Sequence, residues 1–566
     1  VISNVYDTLY RYEGDGDGGS IIVPRLATGH TVSEDGLTYT FTLRDDVYFS
    51  NGDHMTSTDA VYSWCRVIGM GAPSSGVNWI LTQSFDCNDA DGNHHDYGGE
   101  SLSVIDDYSF SVTISAPSAA FVATIAYTVG SVINSQLCEA NRVIETDANG
   151  TVTSDDYCHE WMDEAQVGAG TNAYMVAQWA RGTRLVMEPN WMYWEESDFN
   201  LNRVVVDLVE ETQTRVLALQ DGEVDRAYIP SAQKTEFCNN MEDLPNAEGK
   251  DGFRCTYRQT YSVVNVPYNF APKNDMADGT ADYVLNHDCN GNGTNDCNVL
   301  SLSAVRQALS YTLDYDTIHT ESYKGELMPI YGPIPTGFPY DDTQYEVFTY
   351  DLAYAEDILD AAGFIRQYDC ASLTQTGAPT VVAEADRTGN ECRLPNELRI
   401  LTNTGNDQRI AVAQLWGPAL ESIGIANDNT DQPWATVIDN YIYGKWDLWV
   451  IGWGPDYLDP DNYWSPFAGS ADIGGDAYHG YFENDELDAI LLDARTEQDS
   501  DARALLYADA YDLWVTSPTM ALLGQYAGVG VGSDHMCPPA YDAIGGDYFF
   551  NWDKLAKVSG SYVGEC

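Results

Sequence analysis

Short apolar runs of strand length alternate with segments of helical period along a chain of 566 residues, and this alternation restricts the fold to the α/β class. Tyr39, Phe41 and Leu43 alternate with Thr38, Thr40 and Thr42 after an Asp35-Gly36 turn, which predicts a half-buried strand over Ser33 to Leu43. A second turn at Asn51-Gly52 leads to Thr58 to Trp64, where an N-cap residue precedes apolar residues at helical spacing. Val204 to Val209 reads as a buried strand, and Thr212 to Leu219 as a helix that stops at Asp221-Gly222. Further helices are predicted over Ser303 to Leu313, Ala353 to Ala362, Arg409 to Ile423, Glu486 to Arg495 and Ala502 to Val515. Strands are predicted over Val1 to Tyr6, Leu398 to Thr402 and Asp447 to Ile451. The pattern implies more than one mixed sheet covered by helices, in about three to five domain-sized units. There is no internal repeat and no Pro- or Ser-rich linker, so the units are expected to join through short ordered crossovers.

Twelve cysteines are scattered without a C-x-x-C pair, a distribution that fits disulfides in an oxidising, extracytoplasmic place better than zinc or redox sites. Connectivity is not fixed by sequence. Nearest-neighbour pairing is the expectation because it closes six short loops: Cys65 with Cys87, Cys138 with Cys158, Cys238 with Cys255, Cys289 with Cys297, Cys370 with Cys392, and Cys537 with Cys566. Each loop restricts the unfolded chain by about 3 kcal/mol in the loop-entropy account.

The charge narrows the partners. With 27 Lys and Arg against 87 Asp and Glu, the net charge is −60, which excludes a general nucleic-acid binder because such binding rests on cationic neutralisation of phosphates. Aromatic residues still make up 12% of the chain, enough to fill cores, so the acids must coat a folded body. Only seven of the cations are Lys, which points to high salt or divalent cations as the screening environment. No stretch reaches the roughly 18 to 20 apolar residues of a membrane span, and the chain opens without a signal peptide, as expected of a processed or trimmed mature form.

Several segments together resemble a family. They are Ile22 to Ala27; Val32 to Arg44; Phe49-x-Asn51-Gly52; Thr58 to Ser63; Gly170-Thr171 through Tyr174 and Trp179 to Asn190 and Tyr193-Trp194; and Leu219 to Asp225. Val305 to Leu309, Tyr350-Asp351 to Phe364, Gly452-Trp453 to Asn462 and Asn484 to Asp488 continue the series in the same order. The run, over about residues 1 to 525, is similar to the extracellular solute-binding proteins of the oligopeptide, dipeptide and nickel class, the ligand-capturing components of ABC importers. The chain departs from the family at Asn172-Ala173, where Gly-Pro is usual, and carries insertions at Cys87 to Gly99, Glu145 to Asp156 and His287 to Cys297.

The resemblance implies a two-lobed periplasmic-binding-protein-like α/β fold of class II, the large peptide-binding type, with mixed sheets and an extra subdomain. Residues 1–25, 166–263 and 522–566 would form the main domain of lobe one, 26–165 its subdomain, and 264–521 lobe two. The chain would cross between lobes near 263–267 and 520–525. An even number of cysteines in each unit lets every disulfide stay within one rigid body, so that none obstructs hinge closure.

The loop Gly452 to Asp461 follows a predicted buried strand, the place of a crevice-facing loop in an α/β lobe. By resemblance to peptide-binding relatives, Asp456 would hold a ligand's α-ammonium and Arg409 its carboxylate, with Trp453 and Tyr457 as side-chain pocket walls. Tyr6 and Tyr10 are candidates of the same kind, and Asp459 and Asp461, flanking Pro460, read as turn residues.

Asp288, Asn290, Asn292, Thr294 and Asp296 place oxygen side chains at calcium-loop spacing around Gly293, although Val299 stands where a bidentate Glu would complete an EF-hand. A metal-free, disulfide-closed surface loop is the alternative. Asn149 and Asn292 lie in N-x-Thr sequons. His94-His95-Asp96 contains metal-binding side chains, but adjacent histidines on a strand point to opposite sides, which favours a solvated loop. The G-x-S-x-G, H-E-x-x-H, P-loop and G-x-G-x-x-G motifs are absent, so no enzyme activity is expected.

The resulting expectation is an extracytoplasmic, monomeric receptor, periplasmic or anchored to the cell surface through a segment preceding this sequence. It would capture a short peptide by hinge closure and deliver it to an ABC permease. It would need no cofactor beyond the candidate calcium and would not bind nucleic acid. An oligosaccharide or other small polar solute is the alternative ligand, and a structural or sensory cell-surface protein is the alternative of another class.

Overall fold

The computed structural model describes residues 2–14, 19–71, 78–149, 151–164, 169–196, 201–209, 211–275, 281–289, 294–341, 348–374, 379–470, 480, 482–537 and 556–557. Its N-terminal region is built on a four-stranded antiparallel sheet in the order Ala27–Val32, Thr38–Leu43, Ser109–Thr113, Leu102–Asp106. The predicted alternation holds: Tyr39, Phe41 and Leu43 are buried while Thr42 is exposed. Helix Ser57–Met70 covers this sheet and begins one residue earlier than the sequence suggests. Asp59 sets that start by accepting a hydrogen bond from Thr56 N (2.8 Å), and its other oxygen takes Ser135 N (2.9 Å), so one carboxylate caps the helix and ties it to a distant segment.

A parallel three-stranded sheet forms the other recognisable α/β unit, with Leu398–Asn403 between Asn427–Gln432 and Leu448–Trp449. Helices Asp407–Ser422 and Trp434–Ile442 are its crossovers, as parallel neighbours require. These two units and the sheets between them give the two-lobed α/β architecture.

Long strands rather than loops occupy residues 263–267 and 520–525, where crossovers are expected. Phe253–Pro267 and Met520–Ser533 pair antiparallel through both expected crossovers, with Leu327–Met328 and Ile451–Trp453 at the edges of their sheet. Their register is regular from Phe253↔Ser533 to Gln259↔Ala527, breaks, and resumes at Val263↔Gln525. Thr260, Tyr261 and Ser262 thus bulge opposite Tyr526, a local bend of the kind bulges impose. The buried Gln525 side chain spans the break, with Nε2 donating to Thr260 O (2.8 Å) and Thr336 O (3.0 Å). Along their length the strands enter three hydrophobic cores: Val529 and Val531 one, Val264, Val266, Ala521 and Leu523 a second, and Tyr261, Val263, Met520 and Leu522 the largest.

Two expectations are corrected. Residues 2–5 form a short helix, Ile2–Val5, instead of an opening strand, because Val5 O is used to receive Asn172 N (3.1 Å) rather than a sheet partner. Val204–Asp207 is a strand but not a buried one: it is an edge, paired only with Arg184–Pro189, and Val205 is 47% exposed. The apolar run signals strand propensity without a second covering layer.

Cys65–Cys87, Cys138–Cys158, Cys238–Cys255, Cys289–Cys297 and Cys370–Cys392 are disulfide-bonded as expected, each within one of the expected units. The pairing of Cys537 with Cys566 involves a residue outside the described ones. No helix among the described residues is long and apolar enough to cross a membrane.

At Gly170, a Cβ would stand 1.8 Å from Val5 O. Gly170→Ala is therefore expected to destabilise the protein by about 1 to 3 kcal/mol, since only backbone movement relieves the overlap. A shift of the urea midpoint at unchanged slope is the measurement.

Candidate functional site

The loop after strand Ile451–Trp453 meets the N-terminal region, where Leu458 N donates to Tyr12 OH (3.1 Å), and is fixed from within. Asn462, fully buried, accepts from Asp456 N (2.9 Å) and Trp453 Nε1 (3.0 Å) through one oxygen, so a single amide sets the turn that presents Asp456. The two aspartates read as turn residues do more than shape a turn. Asp459 Oδ1 does accept from Asp461 N (3.0 Å), but its carboxylate also forms a bidentate pair with Arg503 (2.7 and 2.8 Å). Asp461 takes Arg495 Nη2 (2.9 Å), Ser465 Oγ (2.6 Å) and Tyr457 OH (2.9 Å). These pairs pin the loop to helices Asp485–Thr496 and Ser500–Thr516. Burial works against the Asp461 charge, but Arg495 and the two hydroxyls hold its carboxyl below the usual range.

Asp456 is different. Among the described residues no Lys, Arg or His forms an ion pair with it. Its neighbours are Asn462 Nδ2 (3.4 Å) and the hydroxyl of Tyr127, which arrives from the N-terminal region. Desolvation pushes its carboxyl up to about 6, with the two hydrogen bonds only partly offsetting the burial. A carboxylate kept in such a place without a cation is a receptor for one.

Arg409 lies on the first turn of helix Asp407–Ser422, whose N-cap Asn406 accepts from Arg409 N (3.1 Å). Its Nη1 donates to Asn403 Oδ1 (2.9 Å), and no carboxylate pairs with it among the described residues, in a chain where acids outnumber bases threefold. Its Nη2 is 3.4 Å from the position a Cβ on Gly452 would take, so it stands at the head of the strand that leads to Asp456. The Arg409 guanidinium thus lies beside the strand that precedes the Asp456 loop.

The other site residues fall elsewhere. Tyr457 is completely buried, with its hydroxyl on Asp461 and its ring against Trp79, so it is core and not a pocket wall. Tyr10, 5% exposed, packs on Phe41 and bonds His30 Nδ1 (2.6 Å), which likewise removes it from a cleft. Tyr6 packs between the Val5 cluster and the Cys138–Cys158 disulfide, and burial raises its hydroxyl to about 12. Trp453 is half-buried, with its ring against Phe467 and its Nε1 on the Asn462 oxygen that also holds Asp456 N. Alternation and loop position do not distinguish these outcomes, because an aromatic side chain suits a core as well as a wall. Tyr127 escaped sequence reasoning because its partner lies far along the chain, and Arg495 and Arg503 because helical arginines usually face solvent.

In the calcium-type loop, Asp296 Oδ1 accepts from Cys289 N (2.8 Å), and Cys289 and Cys297 are joined to each other and so offer no thiolate. Asn290 and Asn292 lie outside the described residues. Asn149 is exposed beside the tip of the hairpin Ile144–Thr146 and Val152–Asp155. His94 and His95 diverge, His95 Nε2 to Asp89 Oδ2 (3.0 Å) and His94 toward Asp96 (3.6 Å), so they form no common metal site.

Residues 22–475 match the family of bacterial extracellular solute-binding proteins, family 5 Middle. The oligopeptide-binding protein OppA of Bacillus subtilis is 23% identical over 557 residues, covering 97% of this chain and 87% of that protein. Among solved structures, NikZ from Campylobacter jejuni in complex with Ni(L-His) has a TM-score of 0.72 at 18% identity, covering 98% of this chain and 94% of its own. The periplasmic binding protein DppA from Helicobacter pylori in complex with the peptide STSA also gives 0.72, at 20% identity, with 98% and 93% covered.

Proposed function

We propose that this chain, which belongs to the bacterial extracellular solute-binding proteins of family 5, captures short free peptides between its lobes outside the cytoplasm. As a monomer it would hand them to an ABC permease. The observation that carries the reading is Asp456, a largely desolvated carboxylate with which no Lys, Arg or His pairs among the described residues, with Arg409 as a counterpart that no carboxylate pairs with among them. A free peptide supplies both missing charges, and the pairs gain strength when closure expels water. Relatives named for oligopeptides and a structural neighbour holding STSA support the same ligand class. The reading involves no catalysis.

The spacing limits ligand length. Asp456 is four residues beyond Gly452, so at about 3.3 to 3.6 Å per extended residue their Cα atoms can stand at most about 14 Å apart, before the reach of the two anchoring side chains is added. That accommodates about two to four residues. Native mass spectrometry of the purified protein, followed by calorimetry with peptides of two to six residues, tests this: affinity should peak within that range and fall on N-acetylation. Retention of a sugar, or affinity indifferent to N-acetylation, overturns the reading.

Calcium on Asp288, Thr294 and Asp296, with Asn290 and Asn292, is a separate proposal. It predicts calorimetric calcium binding that Asp288→Ala removes, and absence of binding to the parent protein rejects it.

A further inference from the structure

Beyond the ligand anchors, one buried ion pair joins two hydrophobic cores. Lys234 belongs to the turn Ser231–Glu236, which is flanked in the chain by Ile229 and Phe237 of the core that also holds Val216, Leu219 and Val529. Glu326 stands between Tyr323 and Leu327 of the neighbouring core, with no solvent access, and Lys234 is nearly as buried. The Glu326 carboxylate accepts from Lys234 Nζ, Ser231 Oγ, Tyr526 OH (3.5 Å) and Val529 N (3.3 Å), and its backbone oxygen accepts from Ala527 N (2.9 Å).

Tyr526 is the residue opposite the register break of the long strands. The five donors therefore converge on Glu326 at the bend between the two cores. Ser231 Oγ has a second role there, accepting from Gln408 Nε2 (3.2 Å), the residue before Arg409. By the expected boundaries, one short turn of lobe one thus docks on lobe two through Glu326 and through the helix start that carries Arg409. Charges buried this completely are weak evidence for fold stability, because their desolvation cancels much of their attraction, and a role in holding one arrangement is their better-attested use.

We propose that the Ser231–Glu236 turn is a latch: its docking on Glu326 and Gln408 holds the closed arrangement of the lobes and couples it to occupancy of Arg409. This rests on the reading of the protein as a closing receptor. Opening would separate Lys234 from Glu326, and a ligand held by Arg409 would keep the helix start against Ser231.

Small-angle scattering of the ligand-free protein and stopped-flow release of a bound tripeptide provide the test. Lys234→Met with Glu326→Leu removes the pair without stranding a charge, and Ser231→Ala removes the turn's hydroxyl alone. The double variant should increase the ligand-free radius of gyration and raise the peptide dissociation rate by about tenfold or more, with Ser231→Ala moving both in the same direction to a smaller extent. A ligand-free radius unchanged in both variants overturns the latch whatever the ligand is. If the tripeptide does not bind the parent protein, the peptide reading fails while scattering still decides the latch.

Discussion

Asp456→Asn is expected to abolish tight peptide capture while making the ligand-free protein more stable at neutral pH. In the binding reaction the substitution removes the charge that Asp456 offers to the ligand's ammonium, and loss of one partner of a desolvated ion pair costs about 2 to 5 kcal/mol. Affinity should fall by roughly 100-fold or more. In the folding reaction the sign is opposite. Burial raises the Asp456 carboxyl from 3.8 to about 6, so the folded protein binds a proton more readily than the unfolded chain between those values. Stability from this group is thus highest at acid pH, falls as pH climbs toward 6, and stays lower above it, by about 1 to 3 kcal/mol after allowance for residual solvent access. The neutral amide of the variant would escape that penalty while its oxygen still accepts from Tyr127 and Asn462. Calorimetry and thermal melts at pH 7 and pH 5 measure both halves; unchanged affinity would remove Asp456 from the site.

The same ionisation gives capture its own pH dependence. The ammonium of a peptide needs the carboxylate charged, so affinity should rise with pH through about 6 and level off near neutrality. Below that range it should fall by up to about tenfold per unit, the limit for uptake of one proton. Binding to the Asp456→Asn variant should lack this step.

How far the sequence reaches can be judged on particular elements. Thr38–Leu43 and Leu398–Asn403 were legible because side-chain alternation and an apolar run bounded by turns are local consequences of burial. Five disulfides were legible because short loops limit the geometry to near neighbours. Val205 misleads because an edge strand and a central strand share the same propensity, and only tertiary pairing tells them apart. In the site, Asp456 could be located from its loop, but its distinguishing property, a desolvated carboxylate with no ion-pair partner among the described residues, depends on Tyr127 and other groups far along the chain. Tyr457, one residue on in the same bend, is buried with its ring against Trp79 and its hydroxyl on Asp461, contacts that no local pattern announces. Lys234 and Glu326 carry no sequence signal at all, since nothing local distinguishes a paired buried charge from the many solvated ones.

The anchor's rigidity leads to the second large effect. Arg503→Ala is expected to cost about 3 to 5 kcal/mol of stability, because it leaves Asp459 as a buried carboxylate without a partner. Desolvation already holds the Asp459 carboxyl above its usual range in spite of Arg503, and the hydrogen bonds from Asp461 N (3.0 Å) and Tyr507 OH (3.5 Å) that would remain carry no compensating charge. The truncation also removes bonds to Ala494 O (2.6 Å) and Tyr507 OH (3.0 Å) and enlarges a cavity of about 160 Å³ lined by Tyr340, Trp464, Tyr507 and Tyr511. The pair Asp459→Leu with Arg503→Met should lose far less, since it removes both charges and fills the space. Arg495→Ala provides the internal comparison: its side chain is 27% exposed, so water can reach the uncovered Asp461 and the loss should be smaller. All three variants loosen the segment that presents Asp456, so peptide affinity should fall in the order of lost pinning. Urea titration and calorimetry on the same samples separate the two quantities. A loss below about 1 kcal/mol for Arg503→Ala would mean that Asp459 is solvated or protonated in the folded protein and that the loop is held by Asn462 and Asp461 alone.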